Sequence, residues 1–277
     1  AYFLFTALGN MLRDGPARAN LAGVLRELRK RFPRANLRVL AQEPNELKLA
    51  RDAGFEADLV NDGIFLDEEI HAVIPGVTKR YDAVYAASPQ PRMRHDLAVA
   101  VRGLSLLVGT PQTEEVAALA SRLPAATITA GTPGTREQAR LINEARCGLC
   151  LASPDDATDV GMEYLLCGLP VVATQSIAGR DWLFPNRCVV TCASDPVAVR
   201  EAVAEIARRE LPADYVRAAA LARVERERLA FFALLDRIFA ENAQPARRAA
   251  AEFRAYRKDR PDRRERLLSQ LLDAPPG

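Results

Sequence analysis

Residues 149–181 read LCLASPDDATDVGMEYLLCGLPVVATQSIAGRD, an order that leaves the backbone few choices. The run 147–152 is apolar and β-prone, and Ser153-Pro154-Asp155 stops it. Ser, Asp and Thr are side chains that cap a following helix. Residues 161–167 carry helical spacing. Gly168 ends that helix, because the residue after a helix often turns left-handed, where glycine has no Cβ to clash. Pro170 cannot extend it. Residues 171–173 form a second buried strand, and 175–179 are the loop off its end. Strand, helix and strand joined by short loops make a parallel crossover unit. In a sheet of such units ligands sit beyond the carboxyl ends of the strands. Both informative loops, 153–159 and 174–181, fall on that edge.

The rest of the chain repeats the alternation. A strand is expected at 2–8, then an amphipathic helix at 16–32 with Leu21, Val24, Leu25, Leu28 and Phe32 on one face. A strand at 37–41, a helix at 44–53 ended by Gly54, and a strand at 57–60 follow. Asn61-Asp62-Gly63 is turn chemistry. Phe65 and Leu66 read as buried, with Asp67, Glu68 and Glu69 near His71: either a solvated helix start or a carboxylate–histidine general base. Ile74-Pro75-Gly76 reads as a linker. Beyond it, strands at 79–87, 104–108, 126–129, 147–152, 171–173 and 188–192 alternate with helices at 94–101, 111–123, 136–146, 161–167 and 195–208. That pattern predicts a doubly wound parallel sheet. From Pro212 onward no strand is expected, only helices at 213–241, 246–258 and 262–272. Residues 246–272 carry nine Arg and Lys against four acids. They read as a tail packed back over the first half, or as a peripheral contact with an anionic membrane surface or a partner protein.

Several positions carry potential chemistry. The loop 88–93 leads from a strand into a predicted helix, where unpaired N–H groups and the helix dipole favour an anion. Arg92, Arg94 and His95 add positive charge there, and arginine forks suit a diphosphate. The Gly/Pro loop 130–135, with Thr132, edges a plausible nucleotide pocket. Glu163 sits one turn into the short helix; a carboxylate can accept two vicinal hydroxyls, as a ribose clamp does, or it is a surface glutamate. Ser176, the backbone N–H groups of Ala178 and Gly179, and Arg180 can hydrogen-bond sugar hydroxyls or a diphosphate. Asp155, Asp156 and Asp159 either cap the helix they precede or bridge a divalent cation to a diphosphate.

A carboxylate at 155, seven residues, then EYLLCGLPVVAT from Glu163, then a loop ending Gly-Arg-Asp: this pattern resembles the nucleotide-sugar half of a GT-B glycosyltransferase. It is most similar to the retaining family 4 group, over roughly residues 81–203. The resemblance implies two Rossmann-like α/β domains, the amino-terminal one reduced, with a carboxyl-terminal helical tail. The divisions would fall at 1–75, on the acceptor side, at 76–211, holding the nucleotide sugar, and at 212–277. It implies transfer of a sugar from a nucleotide diphosphate sugar, such as a UDP-sugar, to an acceptor hydroxyl, with retention and with neither metal nor cofactor. The usual setting is polysaccharide or glycoconjugate synthesis. The acceptor is undefined: a saccharide, a lipid-linked glycan, a protein or a small molecule. The resemblance implies that Glu163 binds the ribose and Asp155 lies near the donor sugar. Asp155, Arg94 and His95 are then the catalytic candidates; Glu163, Arg92, Ser176, Ala178, Gly179, Arg180 and Thr132 are the donor-binding ones. The chain departs from the family at three points. Met93 stands where a lysine is usual, Asp156 follows the first acid where glycine is common, and Ala178-Gly179 replaces two glycines. These departures leave open a non-catalytic glycosyltransferase-like binding protein. A nucleotide-sugar epimerase on the same fold is a further alternative, and it would draw on His71 and His95.

Composition excludes other classes. The formal net charge of +2 over 277 residues gives no footprint for nucleic acid. No apolar run approaches the ~20 residues needed to span a bilayer, and AYFLFTAL at the start reads as a strand rather than a signal peptide. Five cysteines, an odd number, in or beside predicted strands suit a reducing cytoplasm. Cys147 and Cys150 form a C-x-x-C that reads as two small buried residues rather than a redox or metal pair.

Overall fold

The computed structural model describes residues 2–6, 15–33, 36–154, 160–241 and 251. Residues 1–225 form one compact unit, and 226–277 cluster separately. The first unit contains two parallel sheets. The smaller joins β1 (Tyr2–Thr6), β2 (Asn36–Ala41) and β3 (Ala57–Leu59) in that order, with Leu40 opposite both Thr6 and Asp58. The crossover helices are α1 (Gly15–Arg31) and α2 (Pro44–Asp52). Glu43 caps α2, its carboxylate accepting from the N–H groups of Asn45 and Glu46. Leu21 and Leu25 of α1 bury against Leu37, Val39, Ala50 and Ala57.

Two expectations fail here. Val24 and Phe32 are 53% and 39% exposed rather than core residues. A helix lying over only three strands can bury the centre of its apolar stripe but not both margins. At 61–66 the buried apolar side chain is Ile64, whereas Phe65 is exposed, because the segment is a 3-10 turn, Asp62–Phe65.

The larger sheet has six strands: β4 (Tyr81–Ala86), β5 (Leu104–Val108), β6 (Thr127–Ala130), β7 (Ala145–Cys150), β8 (Val171–Thr174) and β9 (Val189–Cys192). All are parallel, in the order β6-β5-β4-β7-β8-β9. Helices α3 (Glu114–Arg122), α4 (Thr135–Asn143) and α5 (Val160–Leu166) make three of the crossovers, and α6 (Pro196–Arg208) follows β9. Thr113 and Asp195 supply the capping oxygens of α3 and α6. Each strand expected in this half is thus present. The long α7 (Ala213–Glu241) follows, while the helices expected at 246–258 and 262–272 lie, residue 251 apart, outside the described residues. Among the described residues no helix is long and apolar enough to cross a membrane.

The helix expected at 94–101 does not form. Arg94 adopts a left-handed conformation (φ 48°) between two 3-10 turns, Pro91–Met93 and His95–Ala98. A helix cannot run through a left-handed residue, so the segment offers no helical N-terminus to an anion.

Candidate active site

The strand order reverses between β4 and β7: successive strands run outward from β4 on one side and from β7 on the other. Crossovers at such a point leave a crevice at the carboxyl edge. Here one residue widens it. Tyr164 of α5 is fully buried, with its ring over Gly148, and its hydroxyl accepts a hydrogen bond from the Ala86 N–H at 2.7 Å. The β4–β7 pairing ends at Val84 and Gly148, and beyond it the strand ends are bridged by this side chain.

A cavity of about 400 Å³ opens there, lined by the ends of β4 (86–88), β5 (107–109) and β7 (150–152), and by Arg92, Met93, Pro133, Gln138, Val160, Glu163 and Arg180. Its floor is largely apolar, with few polar groups at the rim, as small-molecule sites generally are. Glu163 reaches it because Met162, Tyr164, Leu165 and Leu166 occupy the buried faces of α5, leaving 163 turned to the crevice. Its Oε2 accepts from Gln138 Nε2 at 2.8 Å.

The arginines are placed differently from expectation. Arg94 donates to Leu151 O (2.7 Å), Ala152 O (2.6 Å), Thr174 Oγ1 (2.6 Å) and Ser194 Oγ (3.0 Å). Arg180 is buried and donates to Ala152 O, Ser153 O and Thr174 O at 2.9–3.0 Å. The two guanidinium groups therefore hold the turn that follows β7 against the end of β8. Carbonyl partners orient a guanidinium without cancelling its charge, and Arg180 lines the cavity. Arg92 lines it too, and its Nε is bonded to Gln90 Oε1 at 2.8 Å.

The other candidates separate into two groups. Asp155, with Asp156 and Asp159, lies outside the described residues. His95, Thr132, Ser176, Ala178 and Gly179 do not line the cavity. His95 is buried, tilted against Tyr85 at 5.3 Å between ring centroids; burial, aided by Arg122, pushes its imidazole down to about 4. Thr132 donates to Gly109 O at 3.3 Å and is exposed. Ser176 accepts from the Ala178 N–H at 3.2 Å within its own loop.

Gly179 (φ 75°) instead meets the small sheet. A Cβ there would stand 2.9 Å from Glu43 Cβ, and its carbonyl accepts from Asn61 Nδ2, which also donates to Gln42 O, both at 3.0 Å. The loop that resembles a donor-binding loop thus joins the carboxyl edges of the two sheets.

His71 is likewise buried and outside the cavity, pushed down to about 4 by desolvation. The general-base constellation around it therefore does not face this site. Cys147 and Cys150 are buried thiols pushed up to about 12 by desolvation, which removes the thiolate that redox or metal chemistry needs. Sequence reasoning missed Gln138 and Tyr164. Gln138 stands one helical turn into α4, on the helix face opposite Glu163; Tyr164 was hidden by reading as ordinary core.

No sequence-family model matches the chain, and no curated protein matches it. Solved structures do. Sucrose-phosphate synthase from Thermosynechococcus elongatus aligns with a TM-score of 0.62 at 17% identity, over 86% of this chain and 68% of its own. HepE from Anabaena, in complex with UDP and glucose, aligns with 0.61 at 18%, over 84% and 70%. WaaG, a glycosyltransferase involved in lipopolysaccharide biosynthesis, aligns with 0.51 at 18%, over 67% and 58%. Two parallel sheets joined at their carboxyl edges, with a cavity at the strand-order reversal of the second, make this a chain with the GT-B fold seen in glycosyltransferases.

Proposed function

We propose that the chain is a glycosyltransferase that takes a nucleotide diphosphate sugar in the β4/β7 crevice and passes the sugar to an acceptor hydroxyl with retention. The observation that carries this reading is Glu163, a carboxylate turned into the cavity at the point where a Rossmann-like sheet binds nucleotides. Its two oxygens suit the vicinal hydroxyls of a ribose. The neighbour HepE is in complex with UDP and glucose, which supports a nucleotide-sugar donor.

The chemistry asks for stabilisation of charge on the leaving diphosphate. Arg180 and Arg92 line the cavity, and Arg94 lies directly behind the turn after β7. Fixed guanidinium groups in a partly apolar crevice act on developing charge without reorganising, which is the most effective use of such groups. Asp155, next after Pro154 in the sequence, would orient the sugar. No metal or resident cofactor is part of this reading, and a front-face retaining route asks for no protein nucleophile. The acceptor would approach from the side of the small sheet. The site of action is read as cytoplasmic, supported by the buried thiols; peripheral membrane contact through 246–272 stays a proposal.

A second reading is favoured by one observation. Met93 is buried and lines the cavity where the family carries a lysine, so one cation for the diphosphate is missing. A protein that binds a sugar nucleotide without transferring the sugar follows from that loss. The epimerase alternative has no comparable support, since both histidines lie outside the cavity.

Thermal shifts with UDP-, GDP-, ADP- and TDP-sugars test the proposal. A donor at a hundred times its Kd should add ~2.7 kcal/mol of stability, and Glu163→Ala should abolish the shift. Release of nucleoside diphosphate in the presence of acceptors then separates transfer from binding. No shift with any donor would defeat both readings.

A further inference from the structure

The connection between the two sheets is not a free tether. It leaves β3 at Leu59 and reaches β4 at Tyr81, and on the way it is laid alongside α5. Near its start, Asn61 bonds Gly179 O, and a Cβ on Gly63 would stand 2.9 Å from Leu183 Cδ1 and 3.2 Å from Met162 Cγ. Further along, Arg217 of α7 gathers Glu68 O, His71 O and Leu166 O. Past the end of α5, a Cβ on Gly168 would stand 2.7 Å from Val73 Cγ2. There Asn143 of α4, 2% exposed, accepts from the Ile74 N–H and donates to Ala72 O, and Lys79 donates to Asn143 O. Residues 63–73 thus follow α5 from Met162 to Gly168. Ile74-Pro75-Gly76, read from sequence as a linker, is anchored at its first residue.

The helix needs such support. α5 is 7 residues long, and helices below about 12–15 residues are marginal by themselves. Its order comes from what packs on it. One wall is the large sheet, where Tyr164 lies over Gly148; the connection is another. Val160 and Glu163 of α5 line the cavity, so part of the cavity wall rests on a segment that begins in the other sheet.

We infer that residues 61–74 are a coupling strap: they carry the state of the small sheet to α5, which keeps its place at the cavity only while the small sheet is folded. The inference holds whatever the cavity binds. The strap is continuous with β3, β3 pairs with β2, and α1 buries Leu21 and Leu25 against both. Loss of that core frees the head of the strap. Proteins open locally in contiguous cooperative units. The inference puts the small sheet, the strap and α5 in one such unit and the centre of the large sheet in another. By linkage, a ligand that orders α5 stabilises the small sheet by the same factor.

Native-state hydrogen exchange of the full chain tests this, read at amides 37–41 of β2, 164–169 at and after α5, and 105–107 of β5. Leu25→Ala truncates the core of the small sheet and should cut protection in β2 by about thirtyfold or more. The strap predicts an equal cut at 164–169 and none at 105–107. Arg217→Met removes the clamp midway along the strap. Alone it should lower protection at 164–169 about tenfold and leave β2 unchanged. In the double variant, Leu25→Ala should add no more than about threefold at 164–169, since the strap no longer transmits. Leu25→Val and Arg217→Lys give the same comparisons in milder form if a variant does not fold. If β2 loses protection while 164–169 keep it, the coupling is absent. If 105–107 fall to the same extent, the opening is global and the strap carries nothing. If Leu25→Ala adds its full effect at α5 with Arg217 present or replaced, the small sheet acts through another route and the inference is overturned.

Discussion

The ring of Tyr164 lies so close over Gly148 that a Cβ at 148 would stand 2.0 Å from Tyr164 Cδ2. The phenol reaches past the missing side chain to the Ala86 N–H. The carboxyl ends of β4 and β7 are held apart by one side chain packed where another is absent, and the cavity lies above that gap.

Gly148→Ala therefore has no cheap outcome. The methyl must displace a fully buried ring in a close-packed core, and overpacking of this kind costs ~1–3 kcal/mol. We expect a loss at the top of that range in urea denaturation. Tyr164→Phe should cost ~1 kcal/mol, since it removes only the acceptor for Ala86.

Arg180→Lys should lower stability by ~2 kcal/mol in the same assay. Two terminal nitrogens of Arg180 serve the carbonyls of Ala152, Ser153 and Thr174. An ammonium group lacks the planar fork needed to reach all three. Donor affinity should fall as well, because the turn after β7 loses its anchor.

Asn61→Ala should cost ~2 kcal/mol, leaving Gln42 O and Gly179 O without their shared donor. Gly179→Ala should cost about as much, from a left-handed φ and contact with Glu43. Both act on the same junction between the sheets, so the double variant should lose less than the sum of the two. A double-mutant cycle by urea denaturation checks this.

Stability should fall in acid through two histidines. His71 and His95 titrate near 6.5 when unfolded and are pushed down to about 4 in the fold, in both cases chiefly by desolvation. Below pH 6.5 the unfolded chain takes up protons that the folded chain refuses. The stabilisation is therefore complete above that pH and is lost as the pH drops toward 4, by roughly 3 kcal/mol for each ring. Asp62 and Asp181, raised by burial, act in the opposite sense at the acid end. Denaturation midpoints between pH 7 and 4 should show this slope, and His95→Phe should remove about half of it.

Much of the architecture was legible in the residue order. Alternating apolar runs and Gly168 after its helix specify strands and helices by local sterics and hydrogen bonding. A strand-and-helix alternation of this length has few chirally allowed ways to form a parallel sheet. Glu163 was legible because the buried residues around it leave one direction for its side chain. What local pattern could not decide was the use of each polar group. Arginines at 94 and 180 read as phosphate ligands, yet they bond backbone carbonyls that come within reach only once β7 and β8 lie side by side. His95 read as a charged rim residue, and the left-handed turn at Arg94 put it beneath Tyr85. Gln138 carried no signal, since its partner is 25 residues away and meets it only through the packing of two helices. Local chemistry determined the elements and the edge where a ligand binds. The folded arrangement decided which side chains reach that edge, because long-range contacts alone set which donor meets which acceptor.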